Sequence, residues 1–217
     1  MEPFRTHTGR MAVLDWSDVN TDLIIPARYL KRIERVGYGP LLFADKKYVD
    51  GGAPQPDAPE KHGALDPDFP LNRAEFAGAT ILVVGPNFGC GSSREHAVWA
   101  VHQAGFKAVI APVPDEGFAD IFEGNSLNNG LLVVEIAEAD WKNLVALGQN
   151  SPQTTITVDL EKQIVAYPKD GGTAEVSFSI PESARHRILN GLDTIGITIA
   201  ENGPAIDAFE KTRSAWS

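Results

Sequence analysis

Three unbroken apolar runs in the middle of the chain constrain the fold more than any other feature. The runs ATILVV, KAVIA and GLLVVEI lie between residues 79 and 136, with helix-like segments between them. Strands that are covered on both faces have such continuous apolar sequences. Strands that alternate with helices pair in parallel through right-handed crossovers. We therefore expect an α/β fold with a central parallel sheet.

The sequence after Pro152 has a different pattern. TTITVDL and QIVAYP alternate between apolar and polar residues, which predicts a half-exposed hairpin, and AEVSFSI predicts a third strand. Pro181 and Gly191 mark the expected start and end of a helix, and a terminal helix is expected from Gly203 onward. We therefore predict a smaller antiparallel sheet that is added to the parallel one.

The chain is expected to form a single domain over residues 1–217, because its length suits one large α/β domain. A C-terminal helical extension is expected at about residues 181–217. Residues at about 50–70 are rich in proline and glycine, which predicts a long loop that is either mobile or docked on something else.

Charge and composition exclude several classes of function. The formal net charge of −10 argues against non-specific binding to nucleic acid or to an anionic membrane surface. The N-terminal segment has no apolar signal core, and no run reaches membrane-spanning length, so we expect a cytoplasmic protein. One cysteine and five scattered histidines do not form a recognisable metal-ligand set. We therefore expect any metal to be held by another chain.

The segment GPNFGCGSSREHA, residues 85–97, joins one predicted strand to the helix that follows it. Glycine-rich loops that open a helix bind anions, because free backbone N–H groups and the positive end of the helix dipole meet there. A dinucleotide is disfavoured, because Arg94 replaces the third glycine of the G-x-G-x-x-G pattern. A small carboxylate fits better, because the planar guanidinium of Arg94 can hold it through two hydrogen bonds.

Four further side chains of this loop have more than one interpretation. Ser92 and Ser93 lie at the expected helix start, where a serine usually serves as the N-cap. Backbone donors and the nearby guanidinium of Arg94 also favour a charged serine oxygen, which can act as a base. Cys90 is either a nucleophile or a small packing residue. His96 either packs and forms hydrogen bonds behind the site or acts directly as an acid or base.

The segment NFGCGSSREHA is similar to the signature of the aconitase-type dehydratases, in their swivelling domain. The N-terminal stretch from HTGRMAVLDWSDVNTD to RVGYG resembles that of the 3-isopropylmalate dehydratase small subunits. FADIFEGNSLNNGLL and ILNGLDTIGITI resemble two further blocks of the same family. Because these matches cover nearly the whole chain in order, the chain is identified as a member of this family by resemblance.

The resemblance implies a three-layer β/β/α swivelling domain and a hydro-lyase activity in leucine biosynthesis. The family dehydrates 2-isopropylmalate to 2-isopropylmaleate and rehydrates that to 3-isopropylmalate. It is active only with a large subunit, in a heterodimer or heterotetramer, and the large subunit binds the [4Fe-4S] cluster. The resemblance therefore implies that this chain binds no cluster and supplies half of an active site.

The resemblance also implies roles for individual residues. Ser92 matches the base that removes a proton from carbon, and Asp22 matches an acid near the leaving hydroxyl group. Arg94 and Ser93 match contacts to the substrate, with Arg94 on a carboxylate. The other positions implied to approach the substrate are Tyr29, Leu30, Lys31, Arg32, Asn125 and Ser126.

The YLKR segment, residues 29–32, is implied to read the variable group of the substrate. Tyr29 and Leu30 suit an apolar isopropyl group, and Lys31 or Arg32 suits a carboxylate. Two alternatives stay open at this point. One is a related dehydratase of another 2-alkylmalate, such as citramalate, or of homoaconitate, and the other is a stand-alone carboxylate-binding module.

Two positions depart from the family pattern. Asn20 stands where the family commonly has aspartate, and Pro86 stands where an acid is usual before NF. Neither position is Ser92 or Arg94, so the departures leave the implied base and carboxylate contact in place.

Overall fold

The computed structural model describes residues 1–49, 51–92, 94–113 and 117–213. The strands are β1 Thr6–Leu14, β2 Ile81–Val84, β3 Ala108–Val113, β4 Leu132–Ala137, β5 Thr155–Asp159, β6 Ile164–Lys169 and β7 Gly172–Ser177. The α-helices are α1 Thr21–Ile24, α2 Ala44–Lys47, α3 Glu95–Gln103, α4 Asp120–Asn129, α5 Glu138–Asn150, α6 Glu182–Asn190 and α7 Thr194–Thr212. Short 3-10 turns cover Ala27–Lys31, Gly39–Leu41, Pro70–Asn72 and Ala74–Phe76.

The strands form one sheet in the order β4-β3-β2-β1-β5-β6-β7. β1 to β4 pair in parallel, and β2 to β4 are almost completely buried, as their unbroken apolar sequences predict. β5 to β7 pair antiparallel, and β5 alternates between buried and more exposed residues. The expected α/β class with a parallel and an antiparallel part is confirmed.

β1 joins the two parts of the sheet. The short apolar run MAVLD, residues 11–15, predicts a strand only from Met11, but the strand begins at Thr6. Residues 11–14 pair in parallel with β2, whereas residues 6–10 pair antiparallel with β5. The antiparallel strands therefore continue the parallel sheet through β1 instead of forming a detached second sheet.

The C-terminal helices follow the expected pattern in one case and depart from it in the other. α6 has Pro181 before it and Gly191 in the left-handed conformation after it, as predicted. α7 begins earlier than the expected helix, because the Asp193 side chain accepts a 2.6 Å hydrogen bond from Gly196 N and caps its first turn. α7 then continues through Pro204. None of the helices in the described ranges is long and apolar enough to cross a membrane.

Candidate active site

The loop of residues 85–94 meets the segment after β1 at the carboxyl edge of the parallel sheet, because β1 and β2 end side by side. Gly89 N donates to Val19 O at 2.8 Å. Thr21 N donates to Cys90 O at 2.9 Å. Ligands of open α/β sheets usually bind beyond this edge of the sheet.

Gly89 has no room for a side chain. Its φ is +83°, and a Cβ at this position would lie 2.3 Å from Phe122 Cγ. Gly91 has nearly the same φ, +85°, but a Cβ there would meet only Asn20 Cβ, at 3.4 Å. The loop conformation thus depends on close packing against α4 at Gly89 and on backbone freedom alone at Gly91.

These two glycines give a matched pair of substitutions. We expect Gly89→Ala to lower the free energy of unfolding by about 2–5 kcal/mol, because it adds a clash to an unfavourable φ. Gly91→Ala is expected to cost only about 1–2 kcal/mol, because it adds the φ penalty without the clash. Urea denaturation of the isolated chain measures both. Equal destabilisation by the two variants would contradict the role of the Phe122 contact.

Three residues with implied catalytic or substrate-binding roles lie together at this loop. The Arg94 side chain is only 17% exposed and forms an ion pair with Asp22, whose side chain is 55% exposed. The Thr21 hydroxyl donates to the backbone oxygen of Ser92 at 2.5 Å, and the residue Ser92 is exposed. An exposed serine therefore lies two residues from a guanidinium that is already paired with one carboxylate. Ser93 lies outside the described residues.

The helix after this loop begins later than predicted. α3 starts at Glu95, and Arg94 is its N-cap residue with an extended backbone, φ −144° and ψ 111°. The expected serine N-cap is therefore wrong, because Ser92 lies two residues before the position from which a side chain can cap the helix. N-capping, the usual role of a serine at the start of a helix, therefore does not explain the presence of Ser92.

The two departures from the family pattern have local structural roles. The Asn20 side chain caps α1 by accepting a hydrogen bond from Leu23 N at 2.8 Å. Asparagine and aspartate are about equally good N-caps, so this capping is not lost with asparagine at the position. Pro86 accepts a hydrogen bond from Asp18 N at 3.0 Å through its carbonyl oxygen. Both residues therefore help to fix the two segments that meet at the site.

The surroundings of Cys90 and His96 do not favour either residue as the reactive group. Burial, and then the nearby charge of Asp18, raise the pKa of the Cys90 thiol, which disfavours a nucleophilic thiolate. The His96 ring packs against Tyr38 and Trp99, with centroid separations of 5.6 and 4.8 Å. Burial lowers the pKa of His96, which favours the neutral imidazole. The packing interpretation of His96 is therefore favoured over direct acid–base work.

Tyr29 and Leu30 contribute to the interior. Tyr29 is fully buried, and its hydroxyl donates to Pro54 O at 2.7 Å. Leu30 is half-buried and packs against the core. The structure does not support the expected contact between Tyr29 and an isopropyl group, because the ring has no exposed surface. Contact between Leu30 and substrate stays a prediction.

Lys31 and Arg32 have opposite environments, although they are neighbours. Lys31 is exposed, whereas the Arg32 side chain is only 11% exposed. The Arg32 guanidinium donates to the backbone oxygens of Pro56 and Val36. The structure therefore favours Lys31 over Arg32 as the cation that is open to a ligand.

Asn125 and Ser126 lie within α4. Ser126 is fully buried, and its hydroxyl has no hydrogen-bond partner in the described part of the chain. The structure thus does not support the expected contact of Ser126 with substrate. Asn125 is half-buried, and its carbonyl oxygen accepts a hydrogen bond from Asn129 Nδ2 at 2.9 Å. Its approach to substrate stays a prediction.

A polar connection between α3 and α4 was not predicted from the sequence. Trp99 Nε1 donates to Asn129 Oδ1 at 3.0 Å, and Asn129 Nδ2 donates to Glu95 Oε1 at 2.8 Å. Glu95 and Trp99 are four residues apart, so they lie on the same face of a helix. This spacing was the one sequence pattern that could have indicated a shared partner. Their partner Asn129 is distant in sequence and gave no signal.

The described residues contain no group of three or more His, Cys, Asp or Glu side chains that could hold a metal ion. An iron–sulfur cluster normally takes four protein ligands, mostly cysteines. Cys90 is the only cysteine of the chain, and it is half-buried with a raised pKa. The donor set of this chain therefore does not fit such a cluster.

Comparison with known proteins gives a consistent result. Residues 1–139 match the family model of the aconitase C-terminal domain. The chain is 47% identical over 218 residues to the 3-isopropylmalate dehydratase small subunit of Acidothermus cellulolyticus, covering 100% of this chain and 96% of that one. It is 45% identical over 216 residues to the small subunit of Bacillus licheniformis, covering 100% and 98%.

The crystal structure of 3-isopropylmalate dehydratase from Methanocaldococcus jannaschii is similar, with a TM-score of 0.60 and 26% sequence identity. The match covers 94% of this chain and 99% of that chain. It confirms the swivelling-domain fold that the resemblance implied. A family model that matches more than half of the chain, and relatives that align with all of it, show that the chain belongs to the 3-isopropylmalate dehydratase small-subunit family of the aconitase superfamily.

Proposed function

We propose that this chain is the small subunit of a 3-isopropylmalate dehydratase that isomerises 2-isopropylmalate to 3-isopropylmalate through 2-isopropylmaleate. The proposal places it in leucine biosynthesis in the cytoplasm, with residues 1–217 acting as one swivelling domain. The observation that supports it best is the Arg94–Asp22 ion pair beside the exposed Ser92, in a chain whose full-length relatives bear this enzyme's name.

The proposed role of Ser92 is that of the base. Its oxygen takes the proton from the substrate carbon as the carbon–carbon double bond forms and the hydroxyl group leaves, and it returns the proton during rehydration. A serine alkoxide needs stabilisation near pH 7. The Arg94 guanidinium and the backbone N–H groups at the start of α3 supply positive potential for it.

The proposed role of Arg94 is to hold a substrate carboxylate through its planar fork. Asp22 pairs with Arg94 through Nη1, and a guanidinium has further donors that can hold a second carboxylate. Asp22 in turn would orient Arg94 and contribute to the hydrogen bonds near the leaving hydroxyl. Ser93 is proposed as a neighbouring substrate contact.

The proposal requires a partner chain. Removal of hydroxide needs an electrophile at the hydroxyl oxygen, and the described residues provide no ligand set for one. We therefore infer that the large subunit binds the [4Fe-4S] cluster, and that the two chains form a heterodimer or heterotetramer. This chain contributes the base and the carboxylate contact.

Within residues 29–32, Leu30 is proposed to face the variable group of the substrate, and Lys31 is proposed as the cation that contacts a carboxylate. Arg28 pairs with Asp45, and the Arg32 guanidinium is bonded to backbone oxygens, so both are already engaged. Lys31 is exposed and is available for a ligand. Leu30 and Asn125 complete the proposed contacts.

Reconstitution tests the proposed function. We expect neither this chain nor a cluster-loaded large subunit alone to convert 2-isopropylmalate, and we expect turnover when they are mixed anaerobically. The ultraviolet absorbance of 2-isopropylmaleate measures the reaction. Faster turnover of citramalate or homoaconitate would favour a related dehydratase. Tight binding of 2-isopropylmalate by this chain alone, with no turnover in the mixture, would favour a stand-alone binding module.

A further inference from the structure

The proline-rich region expected at 50–70 contains a closed loop at residues 52–63. Gly63 N donates to Gly52 O at 2.8 Å, and a Cβ on Gly63 would lie 2.8 Å from Gly52 Cα. Within the loop, Ala58 N donates to Gln55 O at 3.2 Å. Compact surface loops whose ends meet in this way often have a functional role. The described residues of this loop contact the segment of residues 26–38 of the same chain.

The loop docks on the segment of residues 26–38 through two side chains of that segment. The Tyr29 hydroxyl donates to Pro54 O at 2.7 Å. Arg32 Nη1 donates to Pro56 O, and Arg32 Nη2 donates to Val36 O at 3.3 Å. The arginine therefore links the loop to both ends of a turn in the segment, through charge-assisted hydrogen bonds.

The same segment also rests on α3. Gln103 Nε2 donates to Arg35 O at 2.8 Å, and Gln103 Oε1 accepts from Tyr38 N at 2.9 Å. The Tyr38 ring packs edge-on against His96 and Trp99. The segment is thus held between the loop and the helix whose N-cap is Arg94.

Arg32 is also the centre of contacts within the segment. Its guanidinium lies over the buried Tyr38, with Cζ 5.6 Å from the ring centroid, and it pairs with the Glu34 carboxylate at 3.9 Å. The Tyr38 hydroxyl and Arg32 Nε are both buried. Removal of a hydrogen-bond donor that is buried leaves its acceptors unpaired, which costs free energy, so this conformation depends on the arginine.

We propose that the loop of residues 52–63 is a positioning element of the substrate site, and that Arg32 is the positioning residue that connects it to residues 26–38. This inference rests on the proposed function. Arg32 acts by fixing the backbone from which Lys31 and Ile33 project, and its own guanidinium is engaged by two carbonyl oxygens and by the Glu34 carboxylate at 3.9 Å. Ile33 is 94% exposed, so its own side chain does not anchor this part of the segment.

Hydrogen exchange of the isolated chain tests the tether without any reference to catalysis. Arg32→Met keeps a long, unbranched stem and removes the hydrogen-bond donors of the side chain. We expect amide exchange in residues 27–38 and 52–63 to accelerate about tenfold or more, with α5 and β5 to β7 unchanged, because local opening is governed by local contacts. Lys61→Met makes the same charge change at an exposed position of the loop and is expected to leave exchange as it is. Unchanged exchange in Arg32→Met would overturn the tether.

Kinetics of the reconstituted enzyme separate positioning from direct contact. Gly63→Ala pushes the ends of the loop apart without altering residues 26–38. We expect Arg32→Met and Gly63→Ala each to raise KM roughly tenfold with little change in kcat, since misplaced binding groups weaken substrate binding. The double variant is expected to resemble each single variant, because both break the same connection.

Additive effects, or a KM effect of Arg32→Met without one of Gly63→Ala, would show that Arg32 contacts substrate directly and would overturn the proposal. Wild-type kinetics in both variants would also overturn it. If the wild-type pair has no activity at all, the proposed function fails, while the exchange experiment still decides whether the tether exists.

Discussion

Ser92→Ala is expected to lower kcat of the reconstituted dehydratase by about 100- to 10,000-fold, the usual loss when a general base is removed. The fold should be unaffected, because the residue is exposed and the hydrogen bond from Thr21 goes to the backbone oxygen. The 2-isopropylmaleate absorbance assay measures kcat, and co-purification with the large subunit reports whether the two chains still associate.

A serine of similar exposure provides the control. Ser177 is exposed at the end of the edge strand β7, and Ser177→Ala is expected to retain wild-type kcat. Near-wild-type kcat in Ser92→Ala would show that another group removes the proton. Loss of both activity and association would show that Ser92 acts in assembly instead.

Arg94→Lys is expected to raise KM by about 10- to 100-fold. Lysine keeps the positive charge but not the planar fork, so one of two charge-assisted hydrogen bonds to the carboxylate is lost. Such a bond contributes about 1.5–3 kcal/mol, which corresponds to this change in affinity. Initial rates over a range of 2-isopropylmalate concentrations separate KM from kcat.

Stability should change little in this variant, because Asp22 is more than half exposed and ion pairs of this kind contribute at most about 1 kcal/mol. Arg5→Lys is the matched control, since Arg5 also pairs with an exposed carboxylate, that of Glu161, but at the start of β1. An unchanged KM in Arg94→Lys would remove Arg94 from the substrate contacts.

The parallel part of the fold could be predicted because its strands are apolar on both faces, a pattern that does not depend on distant residues. β1 was predicted too short for the opposite reason. Residues 6–10, THTGR, include glycine and arginine and have no apolar run. They form a strand because β5, far along the chain, pairs with them. Tertiary pairing of this kind leaves a weak signal in a local sequence.

In the candidate site, too, the features that depend on local sequence could be predicted, and those that depend on distant residues could not. The glycines, Ser92 and Arg94 could be selected because they lie in one short loop whose chemistry is local. The environment of YLKR could not be predicted, because the hydrogen bonds of Tyr29 and Arg32 go to the carbonyl groups of Pro54 and Pro56. Backbone acceptors have no residue-specific signature, so a sequence pattern cannot reveal them.

The position of β1 between the two halves of the sheet has a consequence for the order of folding during synthesis. The bond between the Thr8 and Thr157 hydroxyl groups spans 149 residues, and the backbone pairing of the first strand with β5 spans a similar separation. Contacts this far apart form slowly and late. During synthesis on the ribosome, the edge of β1 that pairs with β5 therefore remains unpaired until about three quarters of the protein has emerged.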